Sequence, residues 1–260
     1  MAVSSAWLNK HADRLHREFN LNGFVSLPGF LDSEGVPALR SELDRYIRDV
    51  VPTITGNDVY YEDKDDPSTL KQLKEMNQYD AYFKQLFMDS PFRSLAAILL
   101  GEAVRPTNFQ YFNKPAGVGQ PTPPHQDGYY FHITPNHAVT LWLALEDIEP
   151  EQGCVSYIQG SHRFGTRHHV RTQTLGFSQG IADFGVPNDI ENQRSFPCKA
   201  GHLLAHHSLI IHRADGNTSA DRSRQAMGFV YVAESCEVDI AAKKAYQAQL
   251  DADLKKAGKI

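Results

Sequence analysis

The chain has 260 residues, with 26 basic and 31 acidic side chains and a formal net charge of −5. At 41% hydrophobic and 22% charged it has the make-up of a globular protein able to bury an ample core, which excludes disordered and fibrous chains. No apolar run approaches the ~18 residues needed to cross a bilayer, and a mildly acidic chain without a basic block argues against nucleic acid as a partner. Lys10, His11 and Asp13 stand where a signal peptide carries its apolar region, so the expectation is an intracellular, cytoplasmic protein with neither membrane nor nucleic acid as partner.

In chain order, Ala6 to Phe19 reads as an amphipathic helix and Gly23 to Leu31 as a short strand and turn. Asp32 or Ser33 caps a helix through about Val50, with Leu39, Leu43 and Ile47 at helical spacing. Asn57 to Ser68 is polar, acidic and contains Pro67, the signature of a loop. Leu70 to Phe87 and Pro91 to Leu100 return to helical periodicity. From Ala103 the pattern changes. Val104 to Asn113, His137 to Ile148, Cys154 to Ile158, Gly201 to His206 and Gln225 to Val232 are short, β-branched or aromatic, and bounded by turn residues. Ala241 to Lys256 predicts a terminal helix.

Many short strands with turns between them point to an antiparallel sandwich or jelly roll. With no repeat and no linker, the expectation is one domain, mainly β with flanking helices. Residues 1–102 form a mostly helical part, 103–235 a β core packed against the N-terminal helices, and 236–260 a C-terminal helix.

Cys154, Cys198 and Cys236 are far apart and form no Cys-x-x-Cys pair, so they read as inert packing residues. Histidine is more informative. Of twelve, ten fall between His125 and His212, about a third of the chain, which locates the chemistry in the second half. Within Pro123-Pro124-His125-Gln126-Asp127-Gly128, His125 and Asp127 share one face if the segment is extended. A third ligand must come from a distant strand, and His212 ends an apolar run beside a Gly/Asn turn. Two His and one carboxylate leave an octahedral ion three open positions, the facial arrangement of non-haem Fe(II) oxygenases.

These residues carry a resemblance. Gly23 to Phe30, His125-Gln126-Asp127, Trp142 to Asp147, Gly153-Cys154-Val155, Gly160-Ser161-His162-Arg163, and His212 with Asn217 and Arg224-Gln225-Ala226 together resemble the phytanoyl-CoA dioxygenase (PhyH) family over nearly the whole chain. The resemblance implies a double-stranded β-helix (jelly roll, cupin-like) and an Fe(II)/2-oxoglutarate-dependent dioxygenase. Such an enzyme uses O2 to hydroxylate a small-molecule substrate, releasing succinate and CO2. It assigns His125, Asp127 and His212 to iron.

Fe(II), Asp127 and 2-oxoglutarate sum to −1, so a cation should meet the distal carboxylate, and Arg does so best. Arg224 opens a strand and matches the family position, whereas Arg222 sits in a polar turn. Lys71 and Trp142 resemble family contacts of the cosubstrate, although a helical surface lysine and a packed core aromatic are equally open readings. Asn108 and Gln110 are further polar candidates on the strand before the motif. Tyr129, Tyr130 and His132 follow the motif and could line a substrate pocket. Arg167, with His168, His169 and Arg171 in a long loop, could bind a polar or anionic substrate. His206 and His207 stay open between structure and catalysis. Two departures from the family pattern stand out: Arg213-Ala214 replaces Gly-Ser after the last ligand, and Gln159 replaces a proline. The competing readings are a cupin-like metal isomerase or hydrolase, and a catalytically silent β-barrel binding protein.

Overall fold

The computed structural model describes residues 2–172, 174 and 178–256. Its strands include Phe24–Leu27 (β1), Val59–Tyr61 (β2), Leu70–Leu73 (β3), Val104–Lys114 (β4), Thr122–His125 (β5) and Ala138–Ala144 (β6). They continue with Val155–Ile158 (β7), Gln193–Phe196 (β8), Leu203–His207 (β9), His212–Ala214 (β10) and Arg224–Ala233 (β11). A seven-stranded antiparallel sheet runs β1-β9-β6-β11-β4-β3-β2, and a four-stranded sheet runs β8-β7-β10-β5. Apolar residues of both sheets share one inner cluster, so the sheets face each other as a jelly roll. No described helix is long and apolar enough to cross a membrane.

Period-two alternation gives the large sheet two different faces. Leu141 and Leu143 of β6, Phe109 and Tyr111 of β4, and Met227, Phe229 and Tyr231 of β11 point outward. They pack on the helices Ser5–Asn22 (α1), Gly35–Asp49 (α2), Ala81–Met88 (α3) and Pro91–Leu100 (α4). Trp142, Ala144, Leu204 and Ala226 point inward, toward Val155 and Tyr157 of the small sheet. Every residue of β6 is buried, as a strand covered on both faces requires. The outer layer is knit by aromatic stacking, with Phe229 lying 4.2 Å from Phe92 and 4.5 Å from Phe109 between ring centroids.

The helix ends follow local chemistry. α1 stops at Gly23, which adopts φ 82° and donates its N–H to Phe19 O at 2.7 Å. Of the two capping candidates before α2, Asp32 serves: its Oδ1 accepts from the N–H groups of Glu34 and Gly35. The final helix is Ile240–Lys256 (α5); the segment expected to be helical from residue 236 opens instead with Glu237–Val238, paired as a strand with Ile133–Thr134, and residues 257–260 lie outside the described residues.

Three stretches depart from the sequence reading. The expected loop Asn57–Ser68 contains β2, and the expected helix from Leu70 begins with β3, turning helical only at Met76. The open edge of β4 explains both, since it takes up Gln72 and Leu73 opposite Phe112 and Tyr111, and β2 then pairs with β3. Ladder pairing at a sheet edge outweighs weak helical propensity. Residues 169–171 of the expected long loop form a ribbon with Gln179–Ile181.

Phe229→Ala should therefore lower unfolding free energy by about 3–5 kcal/mol. Urea unfolding followed by circular dichroism would register this as a lowered midpoint with little change in slope.

Candidate metal centre

Strand pairing assembles the centre. In the small sheet β10 lies antiparallel to β5, with His212 directly opposite His125. Asp127 arrives differently from the expected extended pair. β5 ends at His125, and Asp127 has helical backbone angles (φ −56°, ψ −36°) at the start of the turn Gly128–Phe131. That turn swings the carboxylate back over the two rings. One ligand atom from each of His125, Asp127 and His212 lies within 4.8 Å of the others. Asp127 Oδ1 stands 3.6 Å from both His125 Nε2 and His212 Nε2.

Both imidazoles are presented correctly for an ion. His125 Nδ1 sits 2.8 Å from Pro123 O and His212 Nδ1 3.2 Å from Ile210 O. A carbonyl only accepts, so each Nδ1 carries the proton and each Nε2 lone pair turns to the centre. Burial, with His125 close by, pulls His212 well below the usual imidazole range. For Asp127 burial acts upward, but His212, His125 and His206 outweigh it and hold the carboxyl well below its ordinary range. Two imidazoles whose Nε2 atoms face one carboxylate, the rings buried and Asp127 half-buried, are the donor set for a divalent first-row ion with open positions.

A pocket opens from this triad toward the start of β11, where it meets Trp142, Thr122, Ala214, Lys114 and Arg224. Arg224 is 4% exposed, and its guanidinium carbon lies 5.5 Å from the Trp142 ring. Its Nε has no hydrogen-bond partner, and no carboxylate pairs with it, among the described residues. Burial lowers its pKa only to about 10, so it stays charged. Arg222 instead turns outward, donating to Asp147 O and facing Glu151.

The other sequence candidates divide. Lys71 is no helical surface lysine: on β3 it is buried, lines the pocket and pairs with Glu62 at 3.1 Å. Asn108 and Gln110 do not line the pocket. They lie further down β4 than Phe112 and Lys114, which do, and Gln110 accepts from Gln72. Tyr129, Tyr130 and His132 also fall outside its lining. Tyr129 stacks on His169 at 4.4 Å, Tyr130 bonds Gln179 O, and His132 packs near Tyr246. Arg167 is committed elsewhere, with both Asp189 oxygens within 2.9 Å of Nη1 and Asp183 on the other side of its fork.

Sequence reasoning missed Lys114, Glu62, Gln72 and Thr140. Lys114 faces Arg224 across the β4–β11 register and bonds the carbonyls of Gln120 and Asp215. The alternation Asn108, Gln110, Phe112, Lys114 was the available signal. His206 and His207, adjacent on β9, point to opposite faces: His206 joins the pocket, while His207 packs by Phe19 and His162.

The family model for phytanoyl-CoA dioxygenase (PhyH) matches residues 19–226. The chain is 27% identical over 260 residues to phytanoyl-CoA dioxygenase 1 of Oryza sativa subsp. japonica, covering 86% of this chain and 90% of that one. It is also 27% identical over 227 residues to 1-deoxypentalenic acid 11-beta-hydroxylase of Streptomyces exfoliatus, covering 83% and 78%. Among solved structures it resembles the epimerase SnoN in complex with Fe3+, alpha ketoglutarate and nogalamycin RO. That likeness has a TM-score of 0.70, 22% identity and 90% coverage of each chain, and it concerns the fold.

Two outcomes follow. Arg167→Ala leaves the buried Asp189 carboxylate without its cation, so it should cost about 3 kcal/mol of stability and leave metal affinity unchanged in a Co(II) titration. Burial, with the charges of Arg224 and Lys71, pulls Lys114 down to about 6, whereas the unfolded chain holds that proton to about 10.4. Between these values the unfolded state binds more protons, so stability should rise with pH. Urea unfolding of the metal-free protein between about pH 6 and about pH 9 should show that rise, and Lys114→Met should flatten it.

Proposed function

The chain belongs to the phytanoyl-CoA dioxygenase (PhyH) family of Fe(II)/2-oxoglutarate-dependent oxygenases, and from that premise we propose that it hydroxylates an unactivated C–H bond of a small, polar metabolite, with succinate and CO2 as co-products. One observation carries the reading. A His-His-Asp face with both rings buried shares its pocket with a buried guanidinium whose Nε lacks a partner among the described residues.

The residues fit iron and 2-oxoglutarate. A buried, charged arginine left short of acceptors is costly unless an anion meets it, and the planar fork of Arg224 suits a carboxylate. Gln72 Oε1, also buried and unpartnered, adds a polar atom to the same wall. The charges close as well. Fe(II), Asp127 and 2-oxoglutarate sum to −1, and Arg224 cancels that. Lys71 is offset by Glu62 and Arg213 by Asp215, while Lys114 donates to the carbonyls of Gln120 and Asp215 and is pulled down to about 6 by burial. Among the described residues lining this wall, Lys71 and Arg213 already have acidic partners, which favours a polar over an anionic substrate.

When bound, Fe(II) and 2-oxoglutarate supply the activation of O2 and the oxidation of the substrate. The chain's own residues position these groups. His125 and His212 offer Nε2 lone pairs fixed by backbone carbonyls, and Asp127 offers Oδ1. Arg224 receives the distal carboxylate and fixes the orientation of the cosubstrate. Trp142 lies beside the guanidinium and, with Val155 and Phe112, keeps that end of the pocket apolar and dry. Asp127 also bears on the outcome: a carboxylate at this position denies the site to chloride, so hydroxylation is favoured over halogenation. A hydrolase or a silent binding module has no use for an orphaned arginine beyond a His-His-Asp face.

Anaerobic titration tests the proposal. A weak visible charge-transfer band should appear only when Fe(II) and 2-oxoglutarate are both present, and its absence in folded protein would overturn the reading. Arg224→Leu should raise the KM for 2-oxoglutarate by about two orders of magnitude, within the ~2–5 kcal/mol of a truncated buried charge pair. Arg224→Lys should recover only part of it. Succinate release measured across polar metabolites would identify the substrate.

A further inference from the structure

The carboxylate of Asp127 uses its two oxygens differently. Oδ1 faces the Nε2 atoms of His125 and His212, at 3.6 Å from each. Oδ2 faces away, where it accepts from Thr140 Oγ1 at 2.5 Å and lies 3.1 Å from His206 Nε2. The two partners of Oδ2 come from neighbouring strands. Thr140 of β6 and His206 of β9 are directly paired in the register of the large sheet, and both point inward.

His206 has a third contact. Its Nδ1 lies 3.0 Å from the hydroxyl of Tyr157, which is fully buried on β7 and paired in register with His212. Among the described residues that phenol has no other hydrogen-bond partner. A phenol donating to Nδ1 leaves the ring proton on Nε2, so His206 can donate it to Asp127. The chain Tyr157–His206–Asp127 thus links the small sheet, the large sheet and the turn after β5.

We propose that His206 is a positioning residue that, held by Tyr157 and assisted by Thr140, occupies Asp127 Oδ2 and restricts the carboxylate to one-oxygen binding of the ion. This rests on the metal reading above. Without a donor on Oδ2 the carboxylate is free to rotate or to bind through both oxygens, and the second oxygen would then take a position needed by cosubstrate or O2. A carboxylate held from behind also loses less freedom when the ion binds.

The probe is Co(II), titrated into metal-free protein and followed by its visible d–d absorption, with folding checked by circular dichroism and thermal unfolding. Wild-type protein should bind Co(II). His206→Leu should weaken binding by about 10–100-fold, the usual effect of removing an outer partner of a ligand, and should change the band shape. His206→Gln, whose amide N–H still reaches Oδ2, should restore most of the affinity and the wild-type band. Tyr157→Phe, a smaller change that also covers the case in which His206→Leu does not fold, should give an intermediate loss.

Wild-type affinity and spectrum in both His206→Leu and Tyr157→Phe would overturn the positioning role and leave the metal centre standing. A His206→Gln protein as impaired as His206→Leu, with a spectrum showing one nitrogen fewer, would overturn it too, by making His206 a ligand. Failure of the wild-type protein to bind Co(II) would remove the metal reading and the positioning role with it.

Discussion

The antiparallel pairing of β10 with β5 is the constraint on which everything else turns. It sets His212 opposite His125 although a large part of the chain separates them, and the same strand pairs on its other side with β7, which brings Tyr157 to the same level. A one-residue slip would turn His212 away from the interior. The register is held by more than the ladder. Ile211 donates its N–H to Ser161 Oγ, and Gln126 donates to Leu209 O, so the strand is anchored from both sides before any ion is considered.

Once the register is fixed, the pocket is an exercise in keeping charge out of water. Arg224 is buried and Asp127 half-buried, and they are satisfied in different ways. Asp127 is surrounded by protein donors and imidazoles, with Thr140 Oγ1 and His206 Nε2 on Oδ2. Arg224 is left with an open donor and a π face, so its compensation must come from outside the chain. The other charges are closed locally, Lys71 on Glu62 and Arg213 on Asp215. That asymmetry is what turns a buried polar wall into a binding site for one particular anion.

Much of this was legible in the residues. The short strands, the His-x-Asp pair, the distal His212 and the preference for Arg224 over Arg222 rest on chemistry local enough to read in sequence, and the structure places each of them at one pocket. What could not be read depends on neighbours remote in sequence. Lys71 stayed open between a cosubstrate contact and a helical surface residue because nothing in Leu70–Leu73 reports the free edge of β4, and once paired there it is buried. Asp127 looked extended because its helical turn is pinned by a distant contact, the N–H of Gly128 on Ser208 O. Arg167 looked available because Asp183 and Asp189 lie downstream, and only the fold brings both to its guanidinium. His206 and His207 could not be told apart until β9 was aligned with β6.

The large sheet joins stability to chemistry through its alternation. On β6, Leu141 and Leu143 pack outward on the helices while Thr140 and Trp142 face the pocket. On β11, Met227 and Phe229 do the former, and Arg224 and Ala226 the latter. A side chain on one face fixes the strand from which the next residue projects, and close-packed interiors transmit strain rather than absorb it. The helical layer therefore does more than cover an apolar face. By fixing β6, β9 and β11 relative to one another, it sets where Thr140, His206 and Arg224 stand with respect to the ion and its cosubstrate. This explains why the first hundred residues, which contribute only Glu62, Lys71 and Gln72 to the pocket, supply so much of the outer core. Their task is to hold the geometry rigid to within the fraction of an ångström that oxygenase chemistry requires.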